Sequence, residues 1–84
     1  MPILSEFHGI KITMLYDDHN PPHFHVNSGS YKASYDFNGR LLAGYLTTRD
    51  ERLVLAWLEL HRDELNNNWY KAERHEELCK IPGL

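Results

Sequence analysis

Two turn signals bracket a single alternating run, and together they restrict the N-terminal half of the chain to a narrow set of sheets. Gly29-Ser30 suits a two-residue II′ hairpin, since glycine accepts the positive φ at the first turn position. Asn38-Gly39 predicts a type I′ turn. Between them Tyr31, Ala33, Tyr35 and Phe37 alternate with Lys32, Ser34 and Asp36, the period of a strand. If Gly29-Ser30 closes the first hairpin, Ser28 faces Tyr31, Val26 faces Ala33 and Phe24 faces Tyr35. On the opposite sheet face His25 then lies across from Ser34, and His23 across from Asp36. If Asn38-Gly39 closes the second, Tyr35 pairs with Leu42 and Ala33 with Gly44. Both hairpins place the large apolar residues on one face, and a slip of one residue would reverse every side chain.

A further strand is expected where Ile10, Ile12, Met14 and Tyr16 alternate with Lys11, Thr13 and Leu15, and a last one over Leu41 to Leu46. Thr48-Arg49-Asp50-Glu51 reads as a capping box opening a helix. Leu53, Val54, Trp57, Leu58, His61, Leu65, Trp69 and Ala72 then share one broad helical side, with Arg52, Glu59, Arg62, Asp63 and Tyr70 away from it. Asn66-Asn67-Asn68 is a weak helix stretch that predicts a kink or break, and Pro82-Gly83 ends regular structure. The expected fold is α+β: a four-stranded antiparallel β-meander packed on one long C-terminal helix. Its 84 residues make a single domain, β-rich over 1–47 and helical over 48–78, with a short tail at 79–84.

A hydrophobic content of 42% with 25% charged residues suits a soluble globule and argues against a disordered chain. The single cysteine, Cys79, excludes an internal disulfide and a cysteine-rich zinc knuckle. No apolar run approaches the roughly 20 residues of a membrane span. Met1-Pro2-Ile3-Leu4 lacks the basic start of a signal peptide, so a cytoplasmic location is expected. Nine Lys and Arg against twelve Asp and Glu give a net charge of −3. No basic stripe is present in either half, which disfavours nucleic acid as a partner.

Chemistry concentrates in Asp17-Asp18-His19-Asn20-Pro21-Pro22-His23-Phe24-His25, three histidines and two carboxylates in nine residues. Imidazole and carboxylate are common metal ligands and common general acids and bases. His23 and His25 are two apart on a predicted strand and share a face; Phe24 and Val26 claim the helix side, which puts the histidines on the open side. One ion, zinc or manganese, could be held by His19, His23 and His25 with Asp17 or Asp18. Asp36 could then fix a ligand tautomer. The same atoms could act without metal, with His23 oriented by Asp36 and Lys32 near an anion. A third reading makes the segment a turn in which the aspartates and Asn20 cap backbone amides.

His61 reads as a packed core histidine, Trp57 and Trp69 as core or interface anchors, and Cys79 as unreactive; His8 and His75 receive no role. Leu15, Leu41, Ala43 and Tyr45 share the open face with the histidines, a mixture typical of a partner surface. A homodimer or a protein partner on that face would complete the burial of a small domain.

The run Phe7-His8-Gly9-Ile10, the segment Met14 to Val26 with its Asp-Asp-His-Asn-Pro-Pro-His-Phe-His signature, Leu53 to Trp57, Leu60 to Leu65, Asn68-Trp69 and the closing Lys80-Ile81-Pro82-Gly83-Leu84 resemble a family of small bacterial proteins. It is known as domain of unknown function four-one-six-zero. The resemblance carries His19, His23 and His25 with Asp17 and Asp18 as site candidates, and Trp57, His61 and Trp69 as structural ones. Members are often encoded beside another small domain of unknown function, which implies a two-gene, toxin–antitoxin-like module. The leading expectation is thus a protein-interaction module acting through the open face and the motif loop. The alternative is a metal-dependent hydrolase, acting on a phosphodiester, with His19, His23 and His25 as ligands and Asp18 as base. Metal-free RNA cleavage by His23 and His25 is the third.

Overall fold

A computed structural model describes residues 2–84; Met1, the first residue of the run weighed as a signal peptide, lies outside them. The strands β1 (Ile3–Phe7), β2 (Ile10–Thr13), β3 (His23–Ser28), β4 (Tyr31–Asp36) and β5 (Leu41–Gly44) precede the helix α1 (Thr48–Glu73). They form one antiparallel meander in the order β1-β2-β3-β4-β5. The class is α+β as expected, with five strands in place of four. The additional strand is β1. Its register shifts between Ile3 and Ser5, so Leu4 as well as Phe7 enters the core, and the simple alternation that marks the other strands is lost. His8 and Gly9 join β1 to β2 with φ of 49° and 78°, the positive pair that a type I′ turn requires.

The first hairpin has the register its turn chemistry dictates. Ser28 pairs with Tyr31, Val26 with Ala33, His25 with Ser34, Phe24 with Tyr35 and His23 with Asp36. Gly29 alone supplies the positive φ, at 59°. The second hairpin is different. Gly39 N–H donates to the Asp36 carbonyl and Asp36 N–H to the Arg40 carbonyl, so Phe37-Asn38-Gly39 forms a longer loop in place of the type I′ turn. The Asp36 carboxylate accepts from the amides of Asn38 and Arg40, both at 2.9 Å, while Phe37 is buried. These contacts outweigh the Asn-Gly preference. Ala33 still pairs with Gly44, but a bulge makes Leu41, not Leu42, the partner of Tyr35.

Helix α1 begins at Thr48, one residue after its cap. Thr47, not Thr48, is the N-cap, and its Oγ1 accepts from Asp50 N–H at 3.2 Å. The first turn is tied to the sheet: Ser28 Oγ donates to Asp50 at 2.6 Å and the Tyr35 hydroxyl to Glu51 at 2.8 Å. Burial, then Glu51, pushes the Tyr35 phenol far above its ordinary range. The core is then closed by Val54, Trp57 and Leu58 against Phe24, Val26, Ile10 and Ile12. The irregularity lies at His61 (φ −124°, ψ 22°), not at the three asparagines, and α1 ends at Glu73 rather than at residue 78.

Asn68 explains why the asparagines do not break the helix. It is buried, its Nδ2 donates to the Cys79 carbonyl and its Oδ1 accepts from Cys79 N–H, both at 2.8 Å. This fork anchors the tail. Ile81 N–H donates to Leu4 O at 2.8 Å and Trp57 Nε1 to Pro82 O at 2.9 Å, so residues 79–84 strap the first strand to the helix. Among the described residues, no helix is long and apolar enough to cross a membrane. Asn68→Ala removes both hydrogen bonds to the Cys79 backbone and is expected to destabilise the fold by about 1–3 kcal/mol. Urea unfolding checks this as a lower midpoint at an unchanged slope.

Candidate metal centre

The site is a by-product of strand alternation. Phe24 and Val26 enter the core, so His23 and His25 leave the sheet on the other face, with ring centroids 5.0 Å apart. The loop between β2 and β3 carries Asp18 back over them. Its Oδ2 lies 2.9 Å from His23 Nε2 and 3.0 Å from His25 Nε2. Asp18, His23 and His25 each offer one ligand atom within 4.8 Å of the others.

Exposure differs sharply across the three. The side chains of His23, Asp18 and His25 are 3%, 10% and 32% exposed. His23 therefore lies on the face its strand parity gives but is buried there, contrary to the expected open face. The Trp69 ring lies 5.4 Å from it and 6.2 Å from Phe37, and Arg62 Nε donates to the Phe37 carbonyl at 2.8 Å. Beyond the irregular residue His61, α1 packs on the β4–β5 turn and the start of β3, and so closes one side of the site. Arg62, read as pointing away, is part of this contact.

His23 Nδ1 lies 2.7 Å from the Pro21 carbonyl oxygen. A carbonyl only accepts, so Nδ1 carries the proton and Nε2 of the neutral ring presents its lone pair to Asp18 Oδ2. Two lone pairs at that distance need a cation between them. Either a second proton makes His23 an imidazolium, or a metal ion takes the proton's place. Carbonyl-fixed Nδ1–H with Nε2 free is the arrangement that orients ligating histidines. Tetrahedral zinc, with bonds of ~2.0–2.1 Å, separates its donors by roughly 3.3 Å, so the two Asp18–imidazole distances would widen by a few tenths of an ångström and the two Nε2 atoms, within 4.8 Å of each other, would adjust toward the same value. Thr13, across from His25 in β2, has a buried hydroxyl without a hydrogen-bond partner among the described residues and adds a polar atom on the same sheet face.

The remaining candidates divide. His19 is 83% exposed; its Nδ1 lies 3.0 Å from Asp18 Oδ1, which also accepts from His19 N–H, and its ring centroid is 5.2 Å from that of His23. Asp17, at φ 55°, turns away, and its carboxylate lies 2.6 Å from His75 Nε2. His75 stacks on Tyr16 at 6.1 Å, a role that sequence spacing did not signal. Asp36 faces His23 in register but spends its carboxylate on the turn amides. His61 is half-buried, packed on Trp57 and paired with Glu64. Cys79 is exposed and accepts from Lys71 Nζ at 3.0 Å.

The family model for Domain of unknown function (DUF4160) matches residues 9–70. The chain belongs to this family. The matched span holds the three converging side chains together with Trp69, so the DUF4160 match covers the whole candidate centre. No curated protein and no solved structure matches the chain.

In this DUF4160 protein, desolvation of Asp18 raises its carboxyl pKa, but hydrogen bonds from His25 and His19 N–H, with the charge of both imidazoles, outweigh it and hold the group below its ordinary 3.8. The unfolded chain binds that proton more tightly than the folded one. Asp18 thus contributes stability above its unfolded pKa and loses it as pH falls through the folded value. Asp18→Asn should flatten the loss of stability on acidification below about pH 5, measured as unfolding midpoint against pH.

Proposed function

We propose that this protein binds a divalent cation through Asp18 Oδ2, His23 Nε2 and His25 Nε2 and uses it to hydrolyse a phosphate ester. The observation that carries the reading is the convergence of three donors on a histidine whose tautomer is already fixed by Pro21. An ion held there would supply Lewis-acid polarisation of a phosphoryl oxygen. His23 acts as the buried anchor, shielded by Trp69. His25 forms the accessible edge. Asp18 has both oxygens engaged and serves as ligand and orienting group, which leaves the general-base role to His19, whose Nε2 points away from the Asp18 contact at its Nδ1.

A chelator-stripped sample titrated with Zn²⁺ or Mn²⁺ in a calorimeter tests this. One saturable site is expected, weakened at least tenfold (about 1.4 kcal/mol) in Asp18→Asn and His25→Ala and unchanged in His61→Ala. Equal weak uptake by all four proteins would sink the reading.

A second reading, association with a protein partner of a two-gene system or with a second copy, is favoured by a separate observation. Edge strand β5 is exposed at every position, and Tyr45 beyond it is 66% exposed. Tyr45→Ala should then weaken association without changing the metal titration, as read by sedimentation velocity against concentration. Sedimentation identical to wild type at every concentration counts against it.

A further inference from the structure

The sheet register extends the metal centre into a track. Thr13, His25, Ser34 and Ala43 form one row across β2 to β5, and Lys11, Asn27 and Lys32 form the next. Successive rows on one face lie about 7 Å apart. Between them is a cavity of about 360 Å³ bordered by His25, Asn27, Lys32, Ser34, Ala43 and Gly44. A neighbouring concavity of about 400 Å³ shares Lys32 and Gly44 and is bordered by Tyr31 and Tyr45.

Gly44 makes this continuity possible. Its φ is +67°, and a Cβ there would sit 2.0 Å from the Lys32 carbonyl oxygen. Only glycine lets β5 approach so closely. Tyr45 N–H then donates to that same carbonyl at 3.0 Å, which fixes Tyr45 beside Lys32. The Tyr45 ring packs edge-on to Tyr31 at 5.7 Å and is mostly solvent-exposed, so one aromatic face is available. The ion pairs of the described Lys and Arg side chains involve Arg49, Arg62 and Arg74, which leaves the Lys32 ammonium uncommitted.

We infer that the substrate of the proposed centre is a nucleotide, its phosphate held between the cation site at His25 and the Lys32 ammonium, and its base laid on Tyr45. The inference rests on the metal reading above and adds the substrate class. A cation, one free ammonium and an aromatic face in sequence match phosphate, sugar and base in sequence. The net charge of −3 bears on the length of the ligand. A long polyanion needs many cationic contacts, whereas a mononucleotide needs one lysine and one ion.

The test uses the full chain loaded with Mn²⁺ and the probes adenosine monophosphate, inorganic phosphate and adenosine, with metal affinity measured first. Adenosine monophosphate should bind more tightly than either fragment, with its ³¹P signal broadened by the bound Mn²⁺. Lys32→Ala should weaken it about tenfold or more. Tyr45→Ala should weaken it about fivefold or more while leaving inorganic phosphate unaffected. Both variants should keep the metal affinity. Metal binding with adenosine monophosphate no tighter than phosphate, or with Lys32→Ala unchanged, overturns the nucleotide assignment alone. Absence of metal binding overturns it together with the reading it rests on.

Discussion

Strand β3 has to satisfy two environments at once, and the rest of the molecule follows from how it does so. Phe24 and Val26 fill the space under Trp57 and against Tyr35, so His23 and His25 are left on the reverse side with no freedom of register. A slip by one residue would push imidazoles under the indole and expose the Phe24 ring. That penalty is of core size, about 3–5 kcal/mol for losing one buried aromatic. The histidine pair is held in place by hydrophobic packing on the other face, and no histidine contact has to supply the energy.

The centre is completed from elements distant in sequence. Asp18 comes from the loop after β2, Trp69 from the end of α1, and the tail returns to hold α1 against β1 through Asn68 and Trp57. Asn68 is informative here. A residue with poor helix propensity sits near the end of a helix because its amide reproduces, toward Cys79, the paired donor and acceptor of a strand edge.

Much of this was legible in the residues. The Gly29-Ser30 turn with the alternation on either side yields the β3–β4 register residue by residue, and the helix stripe identifies Val54, Trp57, Leu58, Leu65, Trp69 and Ala72 as buried. Density of ligands points to the Asp17–His25 segment, where three of its members converge. What escaped were contacts between groups with no periodic signature. A bulge hides β1, and the Asp36 carboxylate and Phe37 burial override Asn38-Gly39. His23 is buried because a turn of helix forty-six residues later reaches it, and Asp17 and Asp18 part because only one of two adjacent carboxylates can face β3. Adjacent residues look equivalent in a sequence, whereas backbone φ separates them.

The central claim is that Asp18, His23 and His25 enclose a cation rather than a proton. The difference is visible at the ring nitrogens. With equimolar Zn²⁺ added to chelator-stripped, ¹⁵N-histidine-labelled protein, the account predicts that the Nε2 resonances of His23 and His25 shift together while His23 Nδ1 stays protonated toward Pro21 and His8 and His61 do not move. Rings of His23 and His25 that stay unchanged, while only the exposed His19 responds, would contradict it.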